Sequence, residues 1–217
     1  MQNLTKINNL VLGTFFLLIS PFVSNSQNSP NTINAFKNRM IGQGYTMTFS
    51  STPSTYNTQS SLSNFDLVII GNGGYGPWSA LSNAGFCSAL QSYVNGGGRL
   101  LLTGWIGYNA GSSGNYHSML QTISPFQSFS SYSYNPAPYS LGLQATNHPI
   151  LSGVSSVSIT GNQVYGEYPG SATLRSGATS IARYGSQNSQ FAVATNDYGT
   201  GKVTWTGLHY LAEDAYT

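Results

Sequence analysis

The side chains best suited to act as bases, nucleophiles or metal ligands in this chain are few: three histidines, one cysteine and five carboxylates. His117, His148 and His209 stand far apart and lack the close spacing of metal ligands, so neither a metal nor a cofactor is expected. His148 precedes Pro149 in a turn, a structural position. His209 differs because it lies just past an expected strand, with Glu213 and Asp214 close enough in sequence to orient it. The carboxylates form no evident general acid/base pair. Cys87 falls on an expected helix, where it reads as a small buried apolar residue. Gly71, Gly73 and Gly76 have the dinucleotide-binding spacing. That motif needs an acidic residue about 20 positions on. None occurs between Asp66 and Glu167, so the glycines read as a turn. There is no P-loop and no G-x-S-x-G elbow.

The elements that must position these residues centre on 62–108. Phe65–Ile70 is a short apolar run ended by glycine, which predicts a strand covered on both faces. Phe86, Ala89, Leu90, Tyr93 and Val94 then recur at helical spacing over 83–95, and Gly96–Gly98 stop the helix. Arg99–Thr103 is a second buried strand. Strand, helix, strand in so short a span makes a βαβ unit with parallel strands. The loops after Ile70 and Thr103 then open on one edge, where α/β sheets bind ligands.

Charged residues make up only 6% of the 217, against about a quarter in an ordinary domain. The net charge is +2 with no basic cluster, so nucleic-acid binding has no electrostatic footprint. A Ser-, Tyr- and Asn-rich surface with little self-repulsion favours an extracellular or assembled protein. Residues 1–26 resemble a secretory signal: Lys6, the apolar core Val11–Ile19, and small residues at Ser24 and Ser26. The same apolar run, within 11–20, also suits the first strand of a sheet, and the two readings exclude each other. Residues 27–217 are expected to form one domain, cut short at the C-terminus, secreted or at the cell surface and with no membrane contact once the signal is removed.

Around the βαβ unit, 31–43 reads as a helix, 45–49 as a strand and 50–61 as a polar loop. Residues 116–123 carry a helical patch. The Tyr-, Ser- and Pro-rich stretch 124–142 is longer than a usual connection, and its aromatics suit either a sugar or a partner, or pin the loop to the body. Short strands at 157–160, 163–168, 180–184 and 191–195, with no helices between them, suggest an antiparallel β-rich extension toward the C-terminus. Residues 203–208 form a last buried strand.

The runs FDLVIIGNGGYG, SALQSYVNGGGRLLLTGW, NHPILSGV and YGTGKVTWTGLHY resemble the class I glutamine amidotransferase-like superfamily, nearest to its ThuA-like (trehalose-utilisation) branch. The resemblance implies a flavodoxin-like parallel sheet flanked by helices. In catalytic members a cysteine sits on a G-x-C-x-G elbow, and a histidine follows a late strand with glutamate two positions on. Here the elbow is Gly104-Trp105-Ile106-Gly107 with its neighbour Thr103, and the nucleophile position holds Trp105. His209 matches the family histidine, but Leu211 replaces the glutamate. An indole offers no nucleophile to activate. The resemblance therefore implies a non-catalytic binding or structural module whose edge pocket is lined by Tyr75, Trp78, Trp105, Tyr108 and His209, aromatics suited to a carbohydrate. Two alternatives remain: a hydrolase using His209 with Glu213 or Asp214, and a self-assembling structural protein. Partners are thus a carbohydrate, another protein or a second copy.

Overall fold

The computed structural model describes residues 15–19, 37–50, 53–70, 83–103, 115–127, 132–136, 138–159, 165–169, 172–185 and 190–208. At its centre the apolar runs become β3 (Leu67–Ile70) and β4 (Arg99–Thr103), paired in parallel with Ile70 beside Leu102. Helix α3 (Ala84–Asn95) connects them. Asn83 caps its start, its Oδ1 accepting from the Phe86 N–H at 3.0 Å. It ends where Gly97 takes a φ of +109°, a conformation side chains resist. Phe86, Cys87, Ala89, Leu90, Tyr93 and Val94 are buried against the sheet. Each such burial stabilises by roughly 1.5–3 kcal/mol, more than the ~1 kcal/mol that a glycine inside a helix, here Gly85, costs.

Among the described residues the main sheet has nine strands, in the order β2-β1-β3-β4-β11-β10-β9-β6-β7. β1 (Phe15–Ile19) lies parallel between β2 (Thr46–Ser50) and β3. β11 (Gly201–Thr206) is parallel to β4 and extends the same block. Beyond it β10 (Phe191–Tyr198), β9 (Thr179–Tyr184), β6 (Tyr139–Leu143) and β7 (Val157–Ile159) are all antiparallel. The switch has a local cause. Tyr198 pairs with Gly201 across the two-residue turn Gly199-Thr200, which only an antiparallel pair can accept. Gly199 supplies the positive φ such turns need.

Three expectations change here. The antiparallel strands do not form a C-terminal extension: they lie in the chain between β4 and β11, and β11 returns to the parallel block. The stretch 124–142 is not one long loop, because β6 joins the main sheet and β5 (Tyr132–Pro136) pairs with β8 (Tyr165–Pro169) in a separate ribbon. The polar loop at 50–61 contains a 3-10 turn (Pro53–Tyr56) and the start of a short helix α2 (Gln59–Leu62), which is anchored by the fully buried Leu62. The helix expected at 31–43 is described as α1 over 37–42 only. The helical patch becomes α4 (Asn115–Ile123). One core joins α3, α4 and the sheet; a second, with Leu141, Ile181, Tyr184, Val193 and Leu208, underlies the antiparallel half.

Candidate functional site

Three strand ends meet at the carboxyl edge of the parallel block. β3 ends at Ile70, β4 at Thr103 and β11 at Thr206, and Thr103 is the register partner of Thr206. The Thr103 hydroxyl donates to the Ile70 carbonyl at 3.1 Å, tying two of these ends together. The buried Thr206 hydroxyl accepts from the Leu208 N–H at 3.1 Å, and the Gly207 N–H donates to the Ala192 carbonyl at 2.9 Å. The backbone leaving β11 is therefore held on both sides as it crosses the edge.

The β5–β8 ribbon reaches this same place. An isolated antiparallel bridge joins Gly166 of β8 to Leu208. Gly166 is buried on the Tyr184 and Tyr139 rings, which pack edge to face at 5.1 Å. A Cβ on Gly166 would stand 2.3 Å from Tyr184 and 2.9 Å from Tyr139. Tyr168, on the same side of the ribbon, has its ring 6.1 Å from that of Tyr184. Gly166→Ala should therefore cost about 1–3 kcal/mol through overpacking. Hydrogen exchange should show β8 losing protection first, and equal loss in β4 would contradict a local wedge. The lone glycine inside an otherwise Tyr-rich strand was the sequence signal for this close approach.

The expected site residues Tyr75, Trp78, Trp105, Tyr108, His209 and Glu213, with Asp214, lie outside the described residues. So do Gly71, Gly73 and Gly76. What the structure places is where their segments begin: immediately after Ile70, after Thr103 and after Leu208, on adjacent parallel strands at one edge. His148 is elsewhere, its Nδ1 accepting from the Ile150 N–H at 3.2 Å to cap the 3-10 turn Pro149–Leu151. His117 falls in α4. Among the described residues no group of three His, Cys, Asp or Glu could hold a metal, and no helix is long and apolar enough to cross a membrane.

Cys87, the only cysteine of the chain, is 3% exposed in the core beneath α3. Burial raises its thiol to about 11, so it holds its proton where a nucleophile must lose one. Burial likewise raises the Tyr93 phenol to about 12, and that hydroxyl is hydrogen-bonded to Phe65 and Arg99. Both groups ionise more easily unfolded. The folded state thus keeps protons the unfolded chain sheds, and stability should fall from about pH 8.5 upward. Urea unfolding at pH 7, 9 and 10.5 should show a falling midpoint, with a shallower fall in Cys87→Ala. A midpoint rising with pH would contradict this.

By sequence, no family model and no curated protein matches the chain. Solved structures do match in shape. A ThuA-like protein from Bacteroides uniformis aligns at TM-score 0.62 and 11% identity over 90% of this chain and 82% of its own. A cytoplasmic protein from Salmonella typhimurium LT2 aligns at TM-score 0.64 and 13% identity over 94% and 95%. A glutamine amidotransferase from Thermotoga maritima aligns at TM-score 0.54 and 10% identity over 92% and 77%. The chain thus has the mixed α/β fold of glutamine amidotransferase-like and ThuA-like proteins. The expected secreted or cell-surface location is corrected by the same findings. That Salmonella protein and a second one, at TM-score 0.62, are cytoplasmic. Within the same apolar run, residues 15–19 are placed as β1 between two partner strands.

Proposed function

We propose that this chain, on its glutamine amidotransferase-like fold, is a non-catalytic module that binds a polar, carbohydrate-like ligand at the carboxyl edge of its parallel strands. The finer winding is read as flavodoxin-like, with β2-β1-β3-β4-β11 as its parallel block. The location proposed is cytoplasmic, by analogy with the two Salmonella proteins. One observation carries the binding reading: three strand ends and a Tyr-rich ribbon converge on one edge, while the only thiol is buried under α3. The carboxyl edge of a parallel block is where α/β sheets hold ligands, and no thiolate stands there to attack one.

Two assays on the purified chain test this. Ammonia release from L-glutamine should stay at the uncatalysed rate. Calorimetric titration with glucose, galactose, maltose, cellobiose and lactose should find a binder, with weaker binding in His209→Ala. Turnover of glutamine or of a glycoside that disappears in His209→Ala would replace the module with an enzyme. Absence of binding across the sugars would remove the carbohydrate.

A further inference from the structure

We infer that the face of the sheet turned away from α3 holds a binding groove for a single-chain amphiphile with an anionic head, a free long-chain carboxylate. This goes beyond the edge site and stands whether or not a sugar binds there.

Alternation along the strands separates the two faces. Leu100 and Leu102 of β4, with Val203 and Trp205 of β11, are buried in the core that α3 shares. The residues between them, Leu101 and Thr204, are register partners on the opposite face and are only half-buried. Parallel strands are ordinarily covered on both faces. Here a groove of about 810 Å³ is lined by Leu101 and Thr204 and continues across the antiparallel half past Val193 and Ile181. The segment 148–154, with the 3-10 turn Pro149–Leu151, contributes Ile150 and Val154. Three large apolar side chains are exposed among the described residues, and these are two of them.

The lining selects the body of the ligand. β4 and β11 each have a partner strand on both sides, so their backbone groups are engaged in the ladder. The floor therefore meets a ligand with side chains, and these are mostly Leu, Val and Ile. An extended peptide would bury amides there without partners, a cost that an alkyl chain does not incur. The volume also lies within the roughly 300–1,000 Å³ of small-molecule sites.

The charges select the head. Arg99 and Lys202 are register partners two positions before Leu101 and Thr204, on the same face and toward the amino edge. With His148 they are the ionisable residues lining the groove, and no carboxylate is among them. Lys202 already holds Asp197, so Arg99 is the main donor to a head group. Asp66, at the same edge, borders instead a small polar recess that Arg99 also touches. An anionic head at this end gains charge-assisted hydrogen bonds, and a cationic one is repelled.

The test is calorimetric titration of the full chain with dodecanoate, decanoate and dodecyltrimethylammonium, all below micellar concentration. Dodecanoate should bind, decanoate about tenfold more weakly because less chain is buried, and the cation not measurably. Ile150→Asp and Val154→Asp should each weaken dodecanoate about tenfold or more. Ile41→Asp, equally exposed but outside the groove, should stay within about twofold. Arg99→Gln should cost about two- to fivefold, as an exposed ion pair does, and Arg99→Lys should keep most of that affinity. Circular dichroism should show every variant folded, since the substituted side chains are exposed. Sedimentation should show a monomer with and without dodecanoate. A dimer that Ile150→Asp dissociates would make a second copy the occupant and overturn the inference. No binding of dodecanoate, or equal binding of the two head groups, overturns it as well, and neither result bears on the sugars.

Discussion

Replacing Trp205 by alanine is expected to lower the unfolding free energy by about 3–5 kcal/mol, the cost of deleting a large aromatic from a packed core. Trp205 is 1% exposed near the end of β11, with Leu102 on one side and Ala194 on the other. Its ring meets Phe126 edge to face at 5.2 Å. β11 is the strand shared by the parallel and antiparallel halves, so the cavity would loosen both. The indole Nε1 is buried and finds no acceptor among the described residues. Trp205→Phe keeps the ring contact and removes that unpaired donor, so it should cost well under half as much, about 1–2 kcal/mol. Urea denaturation with a common m-value measures both. An alanine variant that loses less than about 1 kcal/mol would mean the ring is not packed as described.

Gly201→Ala should be comparably damaging, at about 3 kcal/mol or more, because the clash is with backbone. An added Cβ would stand 2.0 Å from the Val94 carbonyl oxygen and 2.3 Å from that of Gly98. These carbonyls belong to the end of α3 and the turn after it, which the β10–β11 hairpin grips. The Thr200 N–H donates to the Asn95 carbonyl and the Lys202 N–H to the Gly98 carbonyl, each at 3.1 Å. A side chain here would push β11 from β4 and disturb the Thr103–Thr206 register that builds the carboxyl edge. Gly42→Ala is the matched control. Gly42 lies at the end of α1 with nothing within 4 Å of its added Cβ. That substitution should be neutral or stabilising by about 0.5–1 kcal/mol. Equal losses at the two positions would show that backbone freedom, rather than the close approach, governs Gly201.

The two glycines show why local reading stops where it does. Both follow ordinary patterns in sequence, and only what lies opposite distinguishes them. The apolar run at 11–20 makes the same point. A stretch such as FFLLI satisfies the core of a leader or an interior parallel strand equally, since both require short, uncharged, apolar sequence. Its pairing with β2 and β3 is a contact that no local pattern announces. The Tyr- and Pro-rich 124–142 lacked strong periodicity because β6 joins the sheet across from β9, and β5 finds its partner in β8.

Sequence alone determined the βαβ unit: the limits of β4, α3 to within a residue, the glycine stop, the parallel pairing of β3 with β4 and the edge on which their loops open. At the position where the resemblance expects a cysteine the sequence holds Trp105, which lies outside the described residues. Those features depend on intervals of a few residues, where apolar spacing and glycine conformation act directly on the backbone. Tertiary structure decided the rest: the place of β11 beside β4, the antiparallel strands inserted before it, and the ribbon that brings Gly166 to Leu208. Each of these is a pairing between segments far apart in the chain, favoured by surfaces that exist only once both have folded.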